Sequence, residues 1–300
     1  MDFINYILGL LPFSFLQYDF MKNAFLAVLL LAPLFALLGT MTVNNNMAFF
    51  SDALGHSALT GIGIGILFGL REPLFCMIAF GIFLSLAITK VKDGMSSSDT
   101  IISVFSSTAM ALGIVILSQE GGFAKYSSYL IGDILTVTEK DLLLIFIVLV
   151  LSYFIWALLY NSLLLVSVNP SLAISRNINA TFTENVFVVL VAITVMVSIR
   201  LMGILTINSL LILPAAAARN ISNNAKSYHW LTTVIGLISA VSGLVLSYEM
   251  GTSAGASIVL VAALLFFITF FIGKKINKYS KIFYPQLPFD TTGCCQKYFK

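Results

Sequence analysis

Long apolar runs separated by short polar loops dominate this sequence and restrict the folds that are open to it. Apolar residues make up 59% of the 300 residues and charged residues only 10%, whereas a soluble domain carries about 25% charged residues. About 20 consecutive apolar residues are enough for one helix to cross the hydrocarbon core of a bilayer. The sequence therefore predicts an all-α, polytopic integral membrane protein with eight or nine transmembrane helices.

Nine runs are long enough to be spans. The division within 184–218 is the least distinct, because only Arg200 and Gly203 interrupt that stretch, and reading it as one span gives a count of eight. The runs lie at 22–41, 47–70, 73–91, 99–118, 142–167, 184–200, 202–218, 230–248 and 255–273. We expect an interfacial segment at 1–21, a membrane domain at 22–273 and a basic cytoplasmic tail at 274–300.

The distribution of lysine and arginine between the loops indicates how the chain is oriented. The most basic segments follow the third, seventh and last spans, and we expect them in the cytoplasm: Lys90 with Lys92, Arg219 with Lys226, and Lys274 to Lys281. The loop at 43–46 and the loop around Arg176 then share the cytoplasmic side, and the N-terminus faces outward. The outer loops carry a weaker and mixed set of charges.

Several function classes are excluded or disfavoured. The chain has no Gly-x-x-x-x-Gly-Lys-Ser/Thr loop, His-Glu-x-x-His helix or Gly-x-Ser-x-Gly turn, so any energy source is a gradient or a partner subunit. The net charge of +3 does not suggest a nucleic-acid partner. Three cysteines give no disulfide framework, and Cys294–Cys295 is open to two interpretations, a free pair or a metal-binding pair.

Asp52 and His56 are the most informative polar residues, because they lie inside the apolar segment 47–70. Ionisable groups are costly in hydrocarbon and usually mark an ion or proton path. At positions i and i+4 they share one face of a helix. His56 follows Met47 by nine residues, or roughly 14 Å of helix, which predicts a depth near the bilayer midplane.

A carboxylate with an imidazole suits Zn, Mn or Fe, and the pair alone does not choose among them. Two ligands are too few for a tight site. A symmetric dimer could supply four ligands, or oxygens of Asn44, Asn45, Asn46 or Ser57 and water could complete the shell. A structural hydrogen-bonded pair that holds two helices together is the alternative interpretation.

The same segment has small residues at every fourth position: Ala53, Ser57, Gly61, Gly65 and Gly69. Such a stripe lets another helix approach closely. It lies about 100° around the helix from Asp52 and His56. The pattern predicts a helix that packs on one face and presents ligands on the next.

A short helix is predicted at about 170–176, in a cytoplasmic loop. Asn169 is a suitable N-cap and Pro170 is favoured at the first helical position. Asn177 can adopt the left-handed conformation that ends a helix. This helix is either a surface turn or a contact for a cytoplasmic partner.

The segment 203–219 combines a buried amide, Asn208, with Pro214 and a run of alanines. Pro214 weakens the helix because it lacks a backbone donor, and the alanines allow close packing. The segment is either a gating or dimer-lining element or a site of helix packing. Farther upstream, Gly132 and Asp133 are predicted to form a turn.

These segments together resemble the permease subunits of bacterial metal-ion ABC importers, the zinc, manganese and iron uptake family. The matching motifs occur in the family's order at Met47 to Gly61, Tyr129 to Asp133, Asn169 to Ala173 and Leu210 to Ala218. The Asp-x-x-x-His segment together with the Leu-Pro-Ala run is the most specific part of the resemblance.

The resemblance implies a BtuC-like type II ABC importer permease in the bacterial inner membrane. Its partners would be a second copy of the chain, membrane lipid, two cytoplasmic ATPase subunits and an extracytoplasmic metal-binding protein. It implies that a divalent metal ion passes Asp52 and His56 and that no cofactor is permanently bound. The residues implied to contact the ATPase are Asn169, Pro170, Leu172, Ala173 and Arg176.

The chain departs from the family pattern at several positions. The family usually has basic residues where Asn44–Asn46 stand, Asp at position 169 and Gly at position 177. Asparagine preserves both the cap and the left-handed stop, so the coupling helix is still expected to form. Two other functions stay open, a gradient-driven metal carrier or channel and a membrane-embedded enzyme that uses Asp52 and His56 as an acid/base pair.

Overall fold

The computed structural model describes residues 14–70, 72–92, 98–119, 132–168 and 170–283. Within these ranges the regular structure is entirely helical. Two short 3-10 helices lie at Ser14–Gln17 and Ile134–Thr136. The α-helices are α1 Asp19–Asn44, α2 Phe50–Leu67, α3 Leu74–Lys92, α4 Ser98–Gln119, α5 Glu139–Val168, α6 Pro170–Ser175, α7 Ala180–Arg219, α8 Ala225–Met250 and α9 Ala254–Phe283.

Seven of the described helices are long and apolar enough to cross a membrane. The 18-residue α2 is not among these seven, and it contains Asp52 and His56. The prediction of a polytopic all-α membrane protein is therefore confirmed, and the remaining question is how many times α7 crosses.

The 40-residue α7 turns back on itself at Gly203, whose φ of 76° and ψ of 162° are not helical. Both ends of α7 lie where α1 ends. Glu184 lines a cavity with Asn44–Asn46, and Ala217 and Ala218 pack in a cluster with Val43. A continuous helix of this length would measure roughly 60 Å and could not return to that end. The two halves, with α2, give nine crossing segments in the described residues, which agrees with the prediction.

Most helix boundaries differ from the predicted ones by a few residues, and three of the differences bear on the fold. The break in α7 falls at Gly203 rather than between residues 200 and 202, because its positive φ favours glycine. The second helix begins at Phe50 rather than Met47, because the backbone N–H of Phe50 donates to the Met47 carbonyl across a turn. The last helix runs on to Phe283, past the predicted start of the tail.

The core of the bundle is formed by α1, α2 and α7: α7 and α1 are the most buried of the seven apolar helices, and 13 of the 18 residues of α2 are buried. The outer positions belong to α4, α5 and α9. Helix α2 packs against α3, α4 and α7, so the segment that carries Asp52 and His56 lies between the inner α7 and the peripheral α4.

The polar loops collect at the two ends of the bundle. At one end, a cavity of about 220 Å³ is lined by Asn44–Asn46, Lys92, Ser167 and Glu184 among others. Lys92 Nζ and Glu184 Oε1 form an ion pair there at 2.9 Å. These groups come from loops predicted to share the cytoplasmic side, and the structure brings them together.

Candidate functional site: a polar cluster between α2 and α7

Asp52, His56 and Asn208 form one polar cluster. One oxygen of Asp52 lies 3.5 Å from His56 Nε2, since the two residues are one turn apart on α2. The other oxygen accepts a 2.8 Å hydrogen bond from Asn208 Nδ2 on the second half of α7. The carboxylate is thus held between an imidazole of its own helix and an amide of the neighbouring one.

Two polar atoms of this cluster have no hydrogen-bond partner in the described part of the chain. They are His56 Nδ1 and Asn208 Oδ1, and both are buried from solvent. A buried polar atom without a partner costs about 1–3 kcal/mol. The Asp52 side chain, in contrast, is 45% exposed and that of His56 33%. The cluster therefore opens on the surface of the protomer. It offers a nitrogen and an oxygen atom that have no hydrogen-bond partner among the described residues and could act as metal ligands.

The depth of the cluster matches a site inside the membrane. His56 lies only six residues after the start of α2, or roughly 9 Å, because α2 begins later than predicted. Asn208 is the better reference, since it lies eleven residues before Arg219 at the end of α7. That is roughly 17 Å of helix, about half of a hydrocarbon core of about 30 Å.

Gly61 and Gly65 of the small-residue stripe face the start of α3, whereas Gly69 lies beyond the end of α2 with no described neighbour within 4 Å. A methyl group on Gly61 would lie 2.6 Å from the Met77 Cα, and one on Gly65 would lie 2.9 Å from the Pro73 Cβ. The Ser57 hydroxyl is fully buried and donates to the Leu54 carbonyl at 2.7 Å. That bond uses the Ser57 proton within its own helix, on the packing face of α2.

The structure does not bring the other suggested ligands to Asp52. Asn44, Asn45 and Asn46 line the cavity at the end of the bundle. Among the described residues, no group of three or more His, Cys, Asp or Glu side chains could hold a metal ion. The third polar group at Asp52 is instead the amide of Asn208.

The sequence alone identifies Asn208 only as a buried amide in a packing or pore-lining segment. It lies 156 residues from Asp52 in the chain, so only the tertiary structure reveals the contact. Pro214, from the same segment, is buried, and its Cβ would lie 3.8 Å from a methyl group placed on Gly236 of α8. It belongs to the contact between α7 and α8.

The predicted short helix is present as α6, Pro170–Ser175. It ends as a Schellman motif, with Ile178 N–H donating to the Ala173 carbonyl and Asn177 N–H to that of Ile174. Asn177 has the predicted positive φ, 55°. Asn169 lies outside the described residues, as do Tyr129 and Cys294–Cys295.

Helix α6 exposes two large apolar side chains. Leu172 is 51% and Ile174 67% exposed, and Arg176 is also exposed, whereas Ala173 is fully buried. The Asn179 side chain then accepts from the Phe182 N–H and begins α7. A tight corner therefore fixes α6 relative to the first half of α7.

Gly132 and Asp133 form the predicted turn. Gly132 has a positive φ of 61°, and Asp133 Oδ1 accepts from the Leu135 N–H at the start of the second 3-10 helix. The turn lies against the backbone of Gly203, with no room for a side chain on Gly132.

Known proteins resemble this chain over most of its length. The zinc uptake membrane protein ZnuB of Haemophilus influenzae is 31% identical over 264 residues, 87% of this chain and 100% of that protein. The manganese import permease ScaB of Streptococcus gordonii is 29% identical over 272 residues, 90% of this chain and 96% of that protein.

A solved structure is similar as well. PsaBC from Streptococcus pneumoniae, in complex with Fab, matches with a TM-score of 0.76 and 29% identity over 93% of this chain and 99% of that chain. A model of the family described as the ABC 3 transport family matches residues 17–273. The chain is a multi-pass membrane protein that belongs to the ABC 3 transport family.

Proposed function

We propose that this protein is the permease subunit of an importer of divalent transition-metal ions in the bacterial inner membrane, driven by separate ATPase subunits. The observation that carries the proposal is the cluster of Asp52, His56 and Asn208 at membrane depth. The named relatives act on zinc or manganese, and membership of the ABC 3 transport family supports a transport role.

The chemistry of the cluster fits a divalent cation in transit. Asp52 offers a charged oxygen, His56 an imidazole nitrogen and Asn208 an amide oxygen that is otherwise unpaired. Carboxylate, amide and imidazole together accept Zn²⁺, Mn²⁺ and Fe²⁺. With only one charged ligand the site would bind weakly enough to release its ion, as transport requires.

The same cluster supports a homodimer. Asp52 and His56 are a third to a half exposed on the surface of one protomer at a depth where lipid would otherwise meet them, and polar groups in hydrocarbon are expensive. A second copy facing the first across a two-fold axis would shield both clusters and let two sets of ligands line one path.

A cytoplasmic ATPase would dock on α6. Leu172 and Ile174 expose large apolar side chains at the cytoplasmic end, whereas Ala173 is buried on the inner side of the helix. The corner at Asn177 and Asn179 links α6 directly to α7. Movement of α6 would therefore reach α7, the helix that carries Asn208.

Metal uptake tests the role of the cluster. Cells that express the permease with its partner subunits are loaded with ⁶⁵Zn²⁺ or ⁵⁴Mn²⁺. We expect Asp52→Ala and His56→Ala each to abolish uptake while the amount of folded dimer stays constant. Ser209→Ala is the matched control, since Ser209 neighbours Asn208 but donates to its own helix at Leu205. Wild-type uptake by both cluster variants would refute the proposed site.

Purification tests the ATPase partner. We expect gentle extraction from native membranes to bring down an ATPase, and Ile174→Asp to lose it, because the change puts a charge on the exposed apolar side of α6. Phe182→Asp on the exposed side of α7 is the control, at a similarly exposed residue. A homo-oligomer without ATPase activity that still transports metal would favour a gradient-driven carrier instead.

A further inference from the structure

Helix α4 carries several hydroxyl groups that form no hydrogen bond within the described part of the chain. In the other membrane helices most serine and threonine hydroxyls donate to a carbonyl three or four residues earlier, as in Ser85, Thr89, Thr194, Ser198, Ser209 and Thr232. Four hydroxyls within six residues of α4 make no hydrogen bond to any described residue: Ser103, Ser106, Ser107 and Thr108. Ser118, farther along the same helix, does donate to Ile114.

The first three of these hydroxyls lie on one side of α4. Ser103, Ser106 and Ser107 are spaced i, i+3 and i+4, and we refer to them as the hydroxyl face. Ser103 and Ser107 are exposed and Ser106 is half-buried. An unbonded hydroxyl is unfavourable against lipid, so this face requires water, an ion or another polar surface.

The register of α2 against α4 puts the hydroxyl face at the level of the polar cluster. The Thr60 hydroxyl donates to the carbonyl of Ala109, and a methyl group on Gly63 would meet Ile116. The two helices therefore run parallel. His56 is one turn before Thr60 on the same face of α2, and Ser106 is one turn before Ala109 on the same face of α4.

Ser106 thus lies level with His56, and Ser103 lies one turn nearer the end of the bundle that holds Lys92. At the same level, His56 Nδ1 and Asn208 Oδ1 are also without partners. Polar groups from α2, α4 and α7 therefore lie at one level of the bundle. A cation that leaves Asp52 for the cytoplasm must exchange protein ligands for water, and hydroxyl oxygens can hold that water.

We propose that Ser103, Ser106 and Ser107 line the aqueous ion path at the level of Asp52 and His56 and hold the hydration water of the passing divalent cation. This rests on the proposed transport function and extends its site to α4. Removal of the three hydroxyls takes away oxygen atoms that would hold the hydration water, and it leaves the Asp52 carboxylate and the His56 imidazole unchanged.

Cysteine labelling tests the aqueous lining directly. Single cysteines are placed at residues 103 and 107 of the full transporter, after Cys76, Cys294 and Cys295 have been replaced by serine, and open membrane fragments are treated with a membrane-impermeant cationic methanethiosulfonate. The reactive species is the thiolate, which needs water. Leu112→Cys on α4 and Val150→Cys on α5 are matched controls, since each of these apolar side chains is 50% exposed.

We expect Ser103→Cys and Ser107→Cys to react at least about tenfold faster than both controls, and Mn²⁺ or Zn²⁺ to slow the reaction. Equal rates at all four positions would overturn the proposal. Ready disulfide formation between two copies at residue 107 without labelling would also overturn it, because the face would then be a dry contact between protomers.

Transport supplies the second measurement. We expect the triple variant Ser103→Ala, Ser106→Ala, Ser107→Ala to lose about tenfold in uptake at limiting metal, as for the loss of one hydrogen bond to a charged species. Ser118→Ala should keep wild-type uptake. Unchanged uptake in the triple variant would refute the role in ion passage. Labelling of the cysteine variants requires no transport, so it tests the aqueous lining independently of the metal site. Fast labelling at residues 103 and 107, combined with normal metal uptake by Asp52→Ala, would refute the proposed metal site and not the lining.

Discussion

Replacement of Asn208 by alanine distinguishes between two roles for this residue, that of a metal ligand and that of an amide that only holds the structure together. In the metal-free protein the change removes the hydrogen bond that Asn208 donates to Asp52, which contributes about 1.5–3 kcal/mol as a bond to a charged group. It also removes the unpaired Asn208 Oδ1, whose burial costs about 1–3 kcal/mol. The two effects oppose each other, so the stability of the metal-free protein should change by less than about 2 kcal/mol.

The metal-bound protein should respond differently, because Asn208 Oδ1 then has a partner to lose. A ligand worth about 2 kcal/mol weakens binding roughly 30-fold. With metal at about 100 times the wild-type Kd, binding stabilises the wild type by about 2.7 kcal/mol. The same concentration is only about three times the Kd of the variant, and the stabilisation falls to about 0.9 kcal/mol.

The assay is thermal unfolding of the purified transporter in detergent, with and without Zn²⁺ or Mn²⁺. Asp52→Ala should lose the metal response entirely, and Ser209→Ala should retain it in full. The reasoning fails if Asn208→Ala keeps the wild-type metal response. It also fails if the variant is destabilised by more than about 2 kcal/mol without metal, since Asn208 would then serve mainly to join α2 to α7.

Two further changes test the packing and the ion pair. In the same unfolding assay, Gly61→Ala should destabilise the protein by about 1–3 kcal/mol, because the added methyl group would lie 2.6 Å from the Met77 Cα. Gly236→Ala is the control and should be neutral or stabilising, because its methyl group would have no atom nearer than 3.6 Å. Lys92→Met should destabilise the end of the bundle that holds the 2.9 Å ion pair with Glu184, and adding Glu184→Gln should restore part of the loss. A double-mutant cycle should give a coupling of about 1 kcal/mol, and strict additivity would show that the pair contributes nothing.

Much of the fold was predictable because membrane helices are encoded locally. Apolar length predicted eight or nine spans, and helical spacing put Asp52 and His56 on one face. The C-terminal cap of α6 was readable for the same reason, since Asn177 acts on its immediate neighbours. Each of these features depends on residues that are close together in the sequence.

The third member of the cluster was not predictable in that way. Nothing local to Asn208 distinguishes an amide that donates to a carboxylate on another helix from one that donates within its own. The hydroxyl face of α4 is hidden in the sequence for a related reason, because a serine in a span ordinarily bonds to its own backbone. Only the structure reveals which serines do not.

The geometry of the cluster depends on the sharpness of the turn at Gly203. A long loop between the halves of α7 would let the second half slide along α2, whereas a turn of a single residue fixes its register. Asn208 follows that turn by five residues, roughly 7.5 Å of helix, which brings it to the level of Asp52. The turn can be this tight because Gly132 and Gly203 both have positive φ and their backbones touch where no side chain would fit. A pair of glycines in the outer half of the membrane therefore sets the position of an amide at the centre of the proposed ion path.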